Sequence, residues 1–117
     1  MNGTEKPDLV EGTKFDDGKP MMDLIPPDVM LVLGQVYTMG AHKYEARNWE
    51  KGMRWGRPIA AILRHLMAFM GGQDNDPESG LPHTAHIAWT AMALCAFQLR
   101  KVGIDDRFKL ESLRDDK

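Results

Sequence analysis

The sequence predicts an all-α fold, a small helical bundle in which two long antiparallel helices are joined by an acidic loop. Three observations carry this. Three segments repeat apolar residues at spacings of three and four. Proline and glycine clusters fall between those segments, where helices start and stop. No pair of alternating segments reads as a strand hairpin. At 117 residues the chain suits one domain.

Taken in order, residues 1–11 are polar and without periodicity, which predicts a mobile N-terminal segment. "GTKFDDGKP" (12–20) has turn chemistry in Gly12, Asp16, Asp17, Gly18 and Pro20. Pro26 and Pro27 then open a first helix, because a first-turn residue needs no intrahelical amide bond. Val29, Val32, Leu33, Val36 and Tyr37 follow at helical spacing, and Gly40 marks an end or a close contact.

Pro58 opens the second helix, with Ile59, Ile62, Leu63, Leu66, Met67 and Met70 on one stripe. Residues 71–80 break the pattern. Ser79 or Gly80 is the expected cap of the third helix, with Pro82 in its first turn. On that helix Ala85, Trp89, Met92, Ala96 and Leu99 form one apolar row, and Ile87, Ala91, Leu94 and Cys95 a second. A helix apolar on two sides needs two partners, so a fourth short helix or, preferably, a homodimer interface is expected. The domain is drawn as 12–104, and 105–117 as a charged tail.

Composition narrows the function. Hydrophobic residues are 43% and charged residues 27%, as in globular domains. A net charge of −2 gives no broad footprint for duplex nucleic acid or an anionic membrane. Cys95 is the one cysteine, so no intrachain disulfide forms, which fits a reducing cytosol. It reads as a small core residue. The apolar run Leu81–Leu99 carries His83, His86 and Gln98, and is read as a buried helix rather than a membrane span.

Two clusters carry chemistry. His65 lies six residues before Gly71 and His86 six after Gly80, so antiparallel helices bring them to one height, each roughly 9 Å from its helix end. His83 lies one turn nearer the loop, below Asp74, Asp76 and Glu78. Ala61, Ala68, Thr90 and Ala93 share these rows and leave room for a ligand. Carboxylates with imidazoles can bind a divalent ion. No HExxH or CxxC occurs, so Mg2+ or Mn2+ with a phosphate ligand is preferred to zinc, on Asp76, Glu78 and His83. His65, His86 and Glu78 are the candidate catalytic groups.

The second cluster is basic and aromatic: Lys14, Lys19, Lys43, Tyr44, Arg47, Asn48, Trp49, Arg54, Trp55, Arg57 and Arg64. Lysine and arginine hold phosphates, tyrosine and tryptophan faces stack on a base, and an Asn amide reads a base edge. A solvated basic loop whose tryptophans plug the core is the equal alternative.

Four pieces, "GTKFDDGKP", "MGAHKYEARNWEKG", "AAILRHLMAF" and "GGQDNDPESGLPHTAHIAW", occur in order from about residue 12 to 98. With them the chain resembles the phage family described as the dATP/dGTP diphosphohydrolase N-terminal domain. The resemblance implies hydrolysis of purine deoxynucleoside triphosphates to monophosphate and pyrophosphate. It carries motif roles to Lys14, Asp16, Lys19, Lys43, Tyr44, Asn48, Trp49, Arg64, His65, Asp76, Glu78, His83 and His86. For a phage protein the expected location is the host cytoplasm. Two further readings stand beside the enzyme: a module that sequesters a nucleotide without turnover, such as a defence-signalling nucleotide, and a purely structural dimerisation unit.

Overall fold

The computed structural model describes residues 12–111. The N-terminal segment and the last tail residues, including Leu113, lie outside them. The described residues hold three α-helices, two single-turn 3-10 segments (Met22–Leu24 and Asn48–Lys51) and no strand beyond isolated bridges. The all-α reading holds.

α1 spans Pro27–Lys43, with Pro26 as its N-cap and Pro27 in its first turn. It passes through Gly40, whose carbonyl accepts the Tyr44 amide at the C-terminal end. The turn expected at 16–19 is present: Lys19 N–H donates to Asp16 O, and Gly18 has φ 81°.

α2 spans Gly56–Met70, starting two residues before Pro58. α3 spans His83–Arg100 with Pro82 as its N-cap, and no side chain caps it. Ser79, expected as a cap, turns its hydroxyl to Asp76 and His86 instead.

α3 is the central helix. α1 packs on one side of it and α2 on another. Leu33 and Val36 of α1 meet Ala85, with Val32, Leu81, Ala88 and Trp89 around them. On the other side Ala61 shares a groove with Thr90 and Ala93, while His65 meets His86. Rising numbers on α2 thus face falling numbers on α3, which makes the pair antiparallel.

The apolar row of α1 and Ala85 and Trp89 of α3 marked the core, but the other apolar positions of α3 and most of those of α2 did not. α3 buries His83, Ala85, His86, Thr90, Ala93 and Phe97, whereas Met92, Leu99 and Cys95 are exposed. On α2 most of the predicted stripe faces outward, with Leu63 53%, Leu66 40%, Met67 63% and Met70 71% exposed, while Ile59 and Ile62 are half-buried. The small residues are the reason. Alanines let two helix backbones approach closely, so α2 meets α3 through its Ala and His row and leaves its bulky row outside. Both sides of α3 find partners within the chain.

The described part of the tail clasps the start of α2. Trp55 N–H donates to Ile104 O, Ile104 N–H to Met53 O, and the Trp55 indole to Val102 O. Asp106 accepts the Gly56 amide at 2.8 Å, an anion at a helix N-terminus. The described residues hold no helix long and apolar enough to cross a membrane.

Candidate functional site

The histidine cluster forms where α2, α3 and residues 71–82 meet. His65 and His86 stack, with centroids 4.8 Å apart and ring planes 4° apart. His65 Nδ1 lies 2.8 Å from His83 Nδ1, and His83 Nε2 lies 2.7 Å from Gln73 Oε1. His86 Nε2 lies 2.7 Å from Ser79 Oγ, which donates to Asp76 Oδ2 at 3.2 Å. The connection is pinned from behind: His83 N–H donates to Asp74 O, and Asp76 N–H to Leu81 O.

These bonds assign protons. Gln73 Oε1 only accepts, so His83 Nε2 donates. A neutral His83 then accepts at Nδ1, and His65 Nδ1 donates to it. A neutral His65 therefore carries its lone pair on Nε2. Likewise Ser79 has one proton, and with that proton on Asp76, His86 Nε2 is the donor to Ser79.

Burial favours the neutral forms of His65 and His86. It holds His65 below the ordinary histidine value, helped by His86 and His83 and opposed by Asp76. Burial does the same to His86 against the pull of Asp76. For Asp76, burial pushes the carboxyl up, but the Glu78 amide and the Ser79 hydroxyl outweigh it and hold it below its usual range.

Each of the three residues expected to hold a metal is engaged by another partner. Glu78 pairs with Lys43 at 3.0 Å, Asp76 serves Ser79 and His86, and both His83 nitrogens are engaged. Among the described residues no group of three or more His, Cys, Asp or Glu side chains is placed to hold a metal ion.

The basic and aromatic cluster forms a cleft of about 810 Å³ between the end of α1, residues 44–53 and α3. Tyr37, Trp49 and Trp89 meet edge to face, with centroids 5.8–6.5 Å apart. Tyr44, Asn48 and Trp49 line the cleft as the sequence suggested, with Arg47 and Arg57. A groove of about 450 Å³ between α2 and α3 shares Trp49, Met53, Arg57 and Trp89 with it and contains Arg64. It reaches Thr90, whose hydroxyl donates to His86 O.

Lys14 and Lys19 lie apart, on the exposed segment before α1, and Lys43 is turned to Glu78. Trp55 belongs to the tail clasp. Sequence reasoning missed Arg100 and Glu50 of the cleft and Gln73 of the histidine chain. Trp89 was legible in principle, three residues after His86 on a helix; Gln73 carries no signal of its own.

The fold and site define an all-helical domain with an aromatic, arginine-lined cleft beside a buried histidine cluster. The family described as dATP/dGTP diphosphohydrolase, N-terminal, matches residues 10–107, and the chain belongs to it. A relative from Salmonella phage PMBT28, named dATP/dGTP diphosphohydrolase, is 34% identical over 96 residues. The match covers 82% of this chain and 33% of that relative, so the chain spans about a third of its length. No solved structure matches the chain.

Proposed function

We propose that this domain binds a purine deoxynucleoside triphosphate and takes part in its hydrolysis to monophosphate and pyrophosphate. The observation that carries the reading is the continuity of the cleft with the α2–α3 groove. The two share Trp49, Met53, Arg57 and Trp89, and the groove ends one helical turn from His86. Trp49 and Tyr44 offer faces to a base, and Arg57 and Arg64 offer donors to phosphates. His65 is the group to take the proton of the attacking water, since its neutral form holds a lone pair on Nε2. His86, hydrogen-bonded to Ser79, holds His65 in place by stacking. Magnesium or manganese enters as the cation carried on the substrate's phosphates.

A second reading is binding without turnover. It is favoured by the engagement of the histidines with one another and with Gln73 and Ser79. One experiment separates the two: the pure protein with a panel of dNTPs and NTPs, with Mg2+, Mn2+ or chelator, read by ion-exchange chromatography. Monophosphate and pyrophosphate formed only with metal support the enzyme. Triphosphates intact under every condition but retained by the protein support the binding module.

We also propose that the chain works as a homodimer through the outer face of α2. Leu63, Leu66, Met67 and Met70 form a contiguous exposed apolar row there. Such a row on a small domain calls for a partner.

A further inference from the structure

Within the cleft, Glu50 joins two arginines from different parts of the chain. Its Oε2 accepts from Arg47 Nη1 at 2.6 Å and its Oε1 from Arg100 Nη1 at 3.0 Å. Arg47 stands in the turn after α1, and Arg100 is the last residue of α3. All three line the same cleft. Arg100 also lies over the Trp49 ring, 5.8 Å from its centroid.

Two features set this apart from a surface ion pair. Arg47 has φ 64°, a left-handed conformation that a non-glycine residue adopts at a cost. The carboxylate is the less exposed member, at 23% against 80% and 53% for the guanidiniums. A carboxylate thus sits between two guanidinium groups, one oxygen accepting from each, as two oxygens of a phosphate could.

We propose that Arg47 and Arg100 form a phosphate seat in the cleft, and that Glu50 is the internal anion holding it until a polyphosphate displaces it. The inference rests on the nucleotide reading and deepens it, since Arg47 was expected there only as one of a basic cluster, and Arg100 and Glu50 were not expected at all. The Glu50 carboxylate keeps the two forks ordered without ligand. It also sets a threshold, because a ligand must supply enough anionic oxygen to replace both of its hydrogen bonds. The ligand class is a nucleoside polyphosphate, and its simplest probe is inorganic tripolyphosphate.

The test is calorimetric titration with tripolyphosphate and, separately, with dATP and dGTP. The proteins are wild type, Glu50→Gln and the double variant Arg47→Ala/Arg100→Ala, each checked for helix content by circular dichroism. Removing the competing charge should raise tripolyphosphate affinity about tenfold, the scale of one charge-assisted hydrogen bond. The double variant should lose at least as much. In unmodified protein the arginine Nε–H signals of Arg47 and Arg100 should move on adding tripolyphosphate, which removes dependence on the variants' folding. Unchanged or weaker binding by Glu50→Gln, or unmoved arginine signals, overturns the proposal. If dATP or dGTP binds equally to all three proteins, the seat falls and the nucleotide reading stands. If tripolyphosphate follows the pattern but neither nucleotide binds, the seat stands and the nucleotide reading falls.

Discussion

His65 and His86 lie face to face across the α2–α3 interface, with ring planes 4° apart and centroids 4.8 Å apart. Two stacked imidazolium ions would repel at that distance, and burial already penalises each charge. Burial holds both groups below the ordinary value of 6.5, and for His65 the neighbouring His86 and His83 add to it. The sign follows. Below that value the unfolded chain binds protons that the fold resists, so stability is full above about pH 6.5 and falls as pH drops through the lowered folded values. Thermal midpoints should fall between about pH 7.5 and about pH 5. The Asp76 contribution is lost only further down, below its ordinary 3.8. Equal midpoints at the two pH values would contradict the stacked neutral pair.

The hydrogen-bond chain makes a separate prediction about where protons sit. Gln73 fixes His83, and His83 fixes His65. At neutral pH the 15N shifts of His65 should report a protonated Nδ1 and a bare Nε2. Gln73→Leu should mix the tautomers and cost about 1–3 kcal/mol, because it leaves the buried His83 Nε2–H without a partner. An unaltered His65 spectrum in that variant would show that Gln73 does not set the order.

Gly103→Ala should be among the most damaging single changes. Gly103 has φ 88°, and an added Cβ would run into the Met53 carbonyl and crowd the Trp55 indole nitrogen. Backbone cannot yield as a side-chain tip can. The change should lower unfolding free energy by about 2 kcal/mol or more in a urea titration. A midpoint like that of wild type would mean the clasp of residues 102–106 on the start of α2 adds little.

How much of this could be read beforehand varies with the physics. Helix number, order and the shared height of His65 and His86 followed from spacing alone, because 3.6 residues per turn fixes which positions align. The row of Ala61 and His65 meets α3 as the expected site required, but that the bulky row would then lie outside did not follow. Periodicity ranks faces by hydrophobicity, and here the packed face is the small one, Ala61 and His65, while Leu66 and Met67 point out. For the same reason Cys95, read as core, is exposed. The cleft was legible as a composition, in Tyr44, Asn48 and Trp49, but not as a set. Arg100 reaches Glu50 across 50 residues of sequence, a contact only the fold creates. Glu78 shows the converse. Beside Asp76 in sequence, it pairs with Lys43 at the end of α1, and only its charge reaches His86.

The outer row of α2 gives a direct test of assembly. Leu66→Lys places a charge in the middle of that row without disturbing the buried face, since Leu66 is already 40% exposed. In sedimentation equilibrium the wild-type chain should run as a dimer and the variant as a monomer, with helix content retained. Surface changes away from packed features typically shift stability by less than about 0.5 kcal/mol. A wild-type chain that is monomeric at all concentrations would remove the dimer.

Trp49 links the core to the cleft, so its variants should separate packing from recognition. Its ring meets Tyr37 at 6.2 Å, Trp89 at 6.5 Å and Phe97 at 6.0 Å between centroids, and carries Arg100 on its face. Trp49→Ala removes all four contacts and opens a cavity, with an expected loss of about 3–5 kcal/mol. Trp49→Phe keeps an aromatic body and should cost less. It also shrinks the face on which Arg100 rests and a base would stack, so nucleotide affinity should fall in the phenylalanine variant even where the fold survives. Urea titration and nucleotide calorimetry on the two variants give the comparison. Equal stability of Trp49→Ala and wild type would take Trp49 out of the core. Undiminished nucleotide affinity in Trp49→Phe would move base stacking to another face of the cleft.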